Sequence, residues 1–90
     1  MDDIHELKCW PEQFAAVVSG SKKHEVRKND RDFKVGQYLR LKEFIPGHGT
    51  SDFKWVPEEF TGATTLVRVT HITKGGTFGL PEDLCVMSIL

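Results

Sequence analysis

The sequence predicts a small, mainly β domain: a barrel of four to six strands with one or two short helices, one of them plugging an end. Three stretches carry that expectation. TTLVRVTHIT, residues 64–73, is dominated by β-branched side chains, which suit a pleated, half-buried surface. The closing run LCVMSIL, residues 84–90, is apolar at both parities, as a strand covered on both faces or closing a barrel requires. Only PEQFAAVVSG, residues 11–20, repeats its apolar residues with a helical period.

The elements follow in chain order. In HELKCW, Leu7 and Cys9 alternate with polar neighbours and suit a first strand. Pro11 fits the first turn of a helix, where its missing N–H costs nothing. Phe14, Val17 and Val18 recur at i, i+3 and i+4, and Gly20 supplies a left-handed stop. A helix of about two turns is unstable alone, so this face must dock on the sheet. KKHEVR is a short extended segment ended by the turn formers of KNDRD. After a turn at Val35-Gly36-Gln37, Leu39 and Leu41 point one way along a strand and Arg40 and Lys42 the other. Residues 45–62 hold two prolines and three glycines and read as a long loop, although they carry Phe53, Trp55 and Phe60. KGG turns the chain into the last strand.

Ninety residues make one domain, 1–90, with 39% hydrophobic and 28% charged residues, a globular balance. No apolar run approaches the roughly 18 residues of a membrane span. The acidic start MDDIHE lacks the layout of a secretion signal, so a cytoplasmic location is expected. Cys9 and Cys85 are far apart, and His5, His24, His48 and His71 form no ligand-spaced pair, so neither a metal nor a cofactor is expected. A monomer is the simplest expectation for the assembly.

The net charge of −1 conceals an asymmetry. Residues 22–34 hold six basic side chains against three acidic ones; the remainder holds six against ten. One concentrated basic segment can steer an anion to a confined site, whereas the total argues against wholesale coating of nucleic acid. Other chemistries are poorly supplied. TKGGTFG lacks the Lys-Ser/Thr of a phosphate loop. No Gly-x-Ser-x-Gly elbow is present, and Cys85 sits in an apolar strand. Strand alternation over residues 22–27 puts Lys23, Glu25 and Arg27 on one face and Lys22, His24 and Val26 on the other. A carboxylate among cations at a helix-to-strand corner suits an ordered rim better than a solvated loop. Trp55, in DFKWVPEEF, either plugs the barrel or offers a stacking face.

The stretch Gly20-Ser21-Lys22-Lys23-His24-Glu25-Val26-Arg27 fits the G-x-K-x-x-E-x-R signature of the ASCH domain family. With SGSKKHEVRKNDRDFKVGQYLRLKEF and LPEDLCVMSIL, essentially the whole chain resembles the small bacterial and phage-type branch of that family, within the PUA-like superfamily. The resemblance implies a PUA-like β-barrel with a helix beside a cleft and recognition of RNA or a nucleotide derivative. Gly20, Lys22, Glu25 and Arg27 would line the cleft, with Asp30 and Arg31 as neighbours. Lys23, Lys28 and Arg31 would add long-range attraction, and Trp55 or Phe53 would cover a bound base. Some ASCH-like proteins are amidohydrolases on N(4)-acetylcytidine, and others have been linked to RNA cleavage. In an enzyme of either kind, Lys22 and Glu25 would be the catalytic pair. Glu25 stands where the amidohydrolase branch has a threonine nucleophile, and a carboxylate is a weak nucleophile toward amides.

Overall fold

A computed structural model describes residues 3–90; residues 1 and 2, the beginning of the acidic N-terminal run, lie outside the described residues. Strand β1 (Ile4–Cys9) alternates as its sequence predicts, with Leu7 and Cys9 buried and Glu6 and Lys8 exposed. Trp10 then takes an extended backbone, φ −64° and ψ 150°. The ring of Pro11 disfavours a helical conformation in the residue before it, which fixes the start of α1 (Pro11–Ser19). Phe14 and Val17 bury their side chains, but Val18 stays 60% exposed, so the docking stripe is narrower than the sequence period predicts. Gly20 ends the helix at φ 83° and donates its N–H to the Val17 carbonyl.

The remaining strands are β2 (His24–Lys28), β3 (Tyr38–Ile45), β4 (His48–Gly49), β5 (Trp55–Val56), β6 (Glu59–Lys74) and β7 (Leu84–Ile89). Five of them form one sheet in the order β1-β3-β6-β7-β2, while β4 and β5 form a separate two-stranded hairpin. Strand β1 runs parallel to β3; the other pairs of the large sheet are antiparallel. The stretch expected to be a long loop is therefore partly β structure. Strand β6 already begins at Glu59 because Phe60 pairs across the ladder with Phe44, ring centroids 5.2 Å apart. Its first part, up to Arg68, pairs with β3 and its last part, from Val69, with β7. A register shift between Val69 and His71 marks the change of partner, and a bulge there bends the strand. The sheet curls around Leu39, Leu41, Val69, Cys85 and Met87, all without solvent exposure, with Phe14, Val17 and Phe33 packed onto them.

The fold is mainly β with one short helix, as predicted, but the sheet does not close into a barrel. Strands β1 and β2 are its two edges. Where a closing ladder would run, side chains of the second edge reach the first: Arg27 Nη2 donates to the Lys8 carbonyl (2.8 Å) and Arg31 Nη1 to the Glu6 carbonyl (2.7 Å). Alternate residues of a strand turn their carbonyls to the same side, so these two acceptors lie along one edge of β1. Among the described residues no helix is long and apolar enough to cross a membrane.

Candidate functional site

The guanidinium-bridged seam between β1 and β2 is concave. Glu25 lies at its floor, and its pairing with Met87 on β7 turns its side chain inward. The residue is only 2% exposed. A buried carboxylate requires partners, and two cations supply them. Arg27 Nε donates to Glu25 Oε2 at 3.0 Å, and Lys22 Nζ approaches Oε1 at 3.4 Å. Lys22 is fixed at both ends, because its ammonium also donates to Gln13 Oε1 on α1 (2.8 Å) and its backbone N–H to the Ala16 carbonyl (3.0 Å).

This corrects the face assignment read from alternation. Strand β2 begins only at His24. Residues 20–23 wrap around the end of the helix instead, which carries Lys22 over to Glu25 and Arg27. Lys23 is absent from the seam's lining; with Gly20 and Lys22 it borders a shallow apolar groove at the helix end, beside Val67 and Ile89. Lys28, Asp30 and Arg31 surround a smaller recess on the far side of Arg27. Trp55 does not join the site. It lies on β5 with its ring against Gly47, 68% exposed, and Phe53 at the hairpin turn is fully exposed.

Two adjoining pockets occupy the seam. The first, about 390 Å³, is lined by Lys22, Glu25 and Arg27 together with Lys8, Trp10 and Gln13. The second, about 330 Å³, shares Lys8 and Arg27 with it and adds Arg31, Lys42, Glu6 and Phe60. Trp10, Gln13, Lys8, Lys42 and Phe60 do not stand out in the sequence as site residues. Trp10 carries one usable signal: it continues the outward parity of Glu6 and Lys8, opposite to the buried Leu7 and Cys9.

The seam carries five cations, Lys8, Lys22, Arg27, Arg31 and Lys42, against the carboxylates Glu6 and Glu25. Arg31 bonds to a neutral carbonyl, and Lys8 rests over the Phe44 ring, 4.6 Å from its centroid. Among the described residues neither has a carboxylate within ion-pair distance. Their charges therefore remain available to an incoming anion. The only thiol in the first pocket, Cys9, is 3% exposed. Burial, and then the neighbouring Glu25 carboxylate, push its pKa above the ordinary 9.0, so it is a poor nucleophile at neutral pH.

The model of a family described as a domain of unknown function, DUF3850, matches residues 4–89. The chain belongs to this family. A curated relative, an "uncharacterized 12.9 kDa protein in GpA 3'region" of Escherichia phage P2, is 36% identical over 73 residues. The match covers 81% of this chain and 57% of the relative, so the chain spans less than two thirds of that protein's length.

Proposed function

We propose that the chain is an RNA- or nucleotide-binding module of the ASCH, PUA-like type, with its binding site in the cleft over Lys22, Glu25 and Arg27. The observation that carries this reading is the seam's unneutralised charge: five cations line a concavity that holds only two carboxylates. Low-dielectric walls concentrate the field of such a cluster on an anion. Further support comes from the G-x-K-x-x-E-x-R positions, whose three charged side chains converge although they are spaced over six residues. In this reading Glu25 orients the two cations, and Lys22 and Arg27 face the ligand. Single-stranded RNA or a free nucleotide suits the site better than a duplex. An indented pocket accepts an unstacked base, whereas groove reading needs a protruding helix or ribbon.

Titration of short RNAs at increasing salt tests the reading. Single-strand binding loses affinity with a logarithmic slope of about −0.7 for each phosphate held. Lys22→Gln with Arg27→Gln, which leaves donors for the buried Glu25 and whose fold is checked by its thermal melt, should weaken binding and flatten that slope. Unchanged affinity and slope would place the RNA elsewhere on the protein. The same mixtures, read by mass with N(4)-acetylcytidine included, report hydrolysis; turnover that disappears in Glu25→Gln would replace the binding module with an enzyme.

A further inference from the structure

Resting on the nucleic-acid reading above, we infer that the ligand is a single RNA strand of at least two nucleotides, lying along β1 with one base on Trp10 and the adjacent phosphate between Arg31 and Lys42. The two seam pockets adjoin across the Arg27–Lys8 bridge, so a ligand longer than the first pocket passes over that bridge into the second. Each is about the size that a small organic ligand occupies. Their chemistry differs.

The first pocket contains the only indole at the seam. Trp10 is 61% exposed, yet its backbone is held at the helix start, by the following Pro11 and by the Phe14 N–H bonded to its carbonyl (2.8 Å). A large aromatic face on a fixed backbone is a stacking platform for any base. The second pocket has no such exposed indole but gathers Lys8, Arg27, Arg31 and Lys42 around one carboxylate, Glu6. That carboxylate is already bonded to Arg40 at 3.1 Å and stands 3.9 Å from Lys42. Arg31 uses one donor on the Glu6 carbonyl, and among the described residues the other four N–H groups of its guanidinium have no acceptor.

A mononucleotide with its base on Trp10 and its phosphate at Lys22 and Arg27 would leave this second cluster without an anion. A strand that continues along the edge of β1 meets both. Successive cations tracking a backbone beside an aromatic platform form the usual arrangement for single-strand binding.

The test uses the full chain with Trp55→Phe, which leaves Trp10 as the sole indole. Two probes are compared, a tetranucleotide RNA of randomised sequence and a mixture of the four ribonucleoside monophosphates. Affinity is read by competition against labelled RNA. The tetranucleotide should quench Trp10 fluorescence and bind at least about tenfold tighter than the monophosphates. Trp10→Ala should weaken binding of the tetranucleotide about 5- to 100-fold. Arg31→Ala with Lys42→Ala should lower its salt slope by about 0.7 for each phosphate no longer held and bring its affinity to that of the monophosphates. Trp10 and Arg31 are exposed and Lys42 is half-buried; because Arg31 also bridges the two sheet edges, the thermal melt of each variant is taken first, and Arg31→Gln with Lys42→Gln replaces the alanine pair if that pair unfolds. Equal affinity for both probes, or an unchanged slope in the Arg31/Lys42 variant while the Lys22/Arg27 variant loses binding, would overturn the strand inference and leave the nucleic-acid reading intact. Absence of binding by either probe would overturn both.

Discussion

Glu25→Gln tests whether the cleft is organised around a buried charge. The side chain is 2% exposed, and its oxygens serve Arg27 Nε at 3.0 Å and Lys22 Nζ at 3.4 Å. Removing one partner of a fully buried ion pair costs about 3–5 kcal/mol. Three features reduce that here. The Lys22 and Arg27 side chains retain 18% and 24% exposure, each keeps a second acceptor in Gln13 or the Lys8 carbonyl, and a glutamine oxygen still accepts a neutral bond. A charge-assisted bond contributes about 1.5–3 kcal/mol, and the longer Lys22 interaction contributes less than a well-formed one. The expected loss is therefore about 2 kcal/mol, equivalent to a fall in Tm of about 8–16 °C for a domain of this size. Urea unfolding at pH 7, with unchanged m, measures it. Glu6→Gln is the control: that carboxylate is 54% exposed and pairs with Arg40 and Lys42 at the surface, so its loss should cost less than about 0.5 kcal/mol. Equal, small losses in both variants would refute the view that Glu25 is the hub of the site.

Other expectations are independent of the ligand. Gly75→Ala should destabilise by about 2–3 kcal/mol, because a Cβ there would collide with the backbone carbonyl oxygens of Pro81 and Leu84; thermal unfolding reads the loss. Gly20→Ala meets no neighbour and should cost only the left-handed backbone penalty, about 1 kcal/mol, with Gly20→Asn intermediate by the same assay. Burial raises the pKa of both Cys9 and Cys85, so the folded chain retains protons that the unfolded chain releases as pH rises past 9.0. Their contribution to stability is full below that pH and declines above it. Urea midpoints between pH 8 and 10.5 should fall more steeply for the parent than for Cys9→Ala with Cys85→Ala, and equal slopes would contradict the assignment.

Local pattern specified a good part of this structure. Leu39 and Leu41, set against Arg40 and Lys42, are fully buried as two-residue alternation requires, and Pro11 and Gly20 bound the helix. What could not be read depends on how distant residues meet. Whether the sheet closes is decided where β1 meets β2, and arginine side chains there replace a ladder that no local pattern describes. The early start of β6 follows from Phe60 reaching Phe44, sixteen positions upstream across the hairpin. Within the site, Lys22, Glu25 and Arg27 were grouped by the resemblance to the G-x-K-x-x-E-x-R signature. The alternation rule nevertheless put Lys23 in place of Lys22, because it assumed a strand where the chain is still leaving the helix. That Trp10, and not Trp55, lines the first pocket was illegible for a related reason. The charged neighbours of Trp55 left both a plug and a stacking face open; Trp55 is 68% exposed and plugs nothing, and its position relative to the cleft depends on the β4–β5 hairpin.

The most direct measurement is an amide chemical-shift map of the ¹⁵N-labelled chain titrated with a tetranucleotide RNA. Perturbations should concentrate at residues 6–10, 22–31 and 42, with saturation at one equivalent and little change at 50–56. Shifts confined to the β4–β5 hairpin, or absent from the stretch around Lys22, Glu25 and Arg27, would contradict a binding site at the seam.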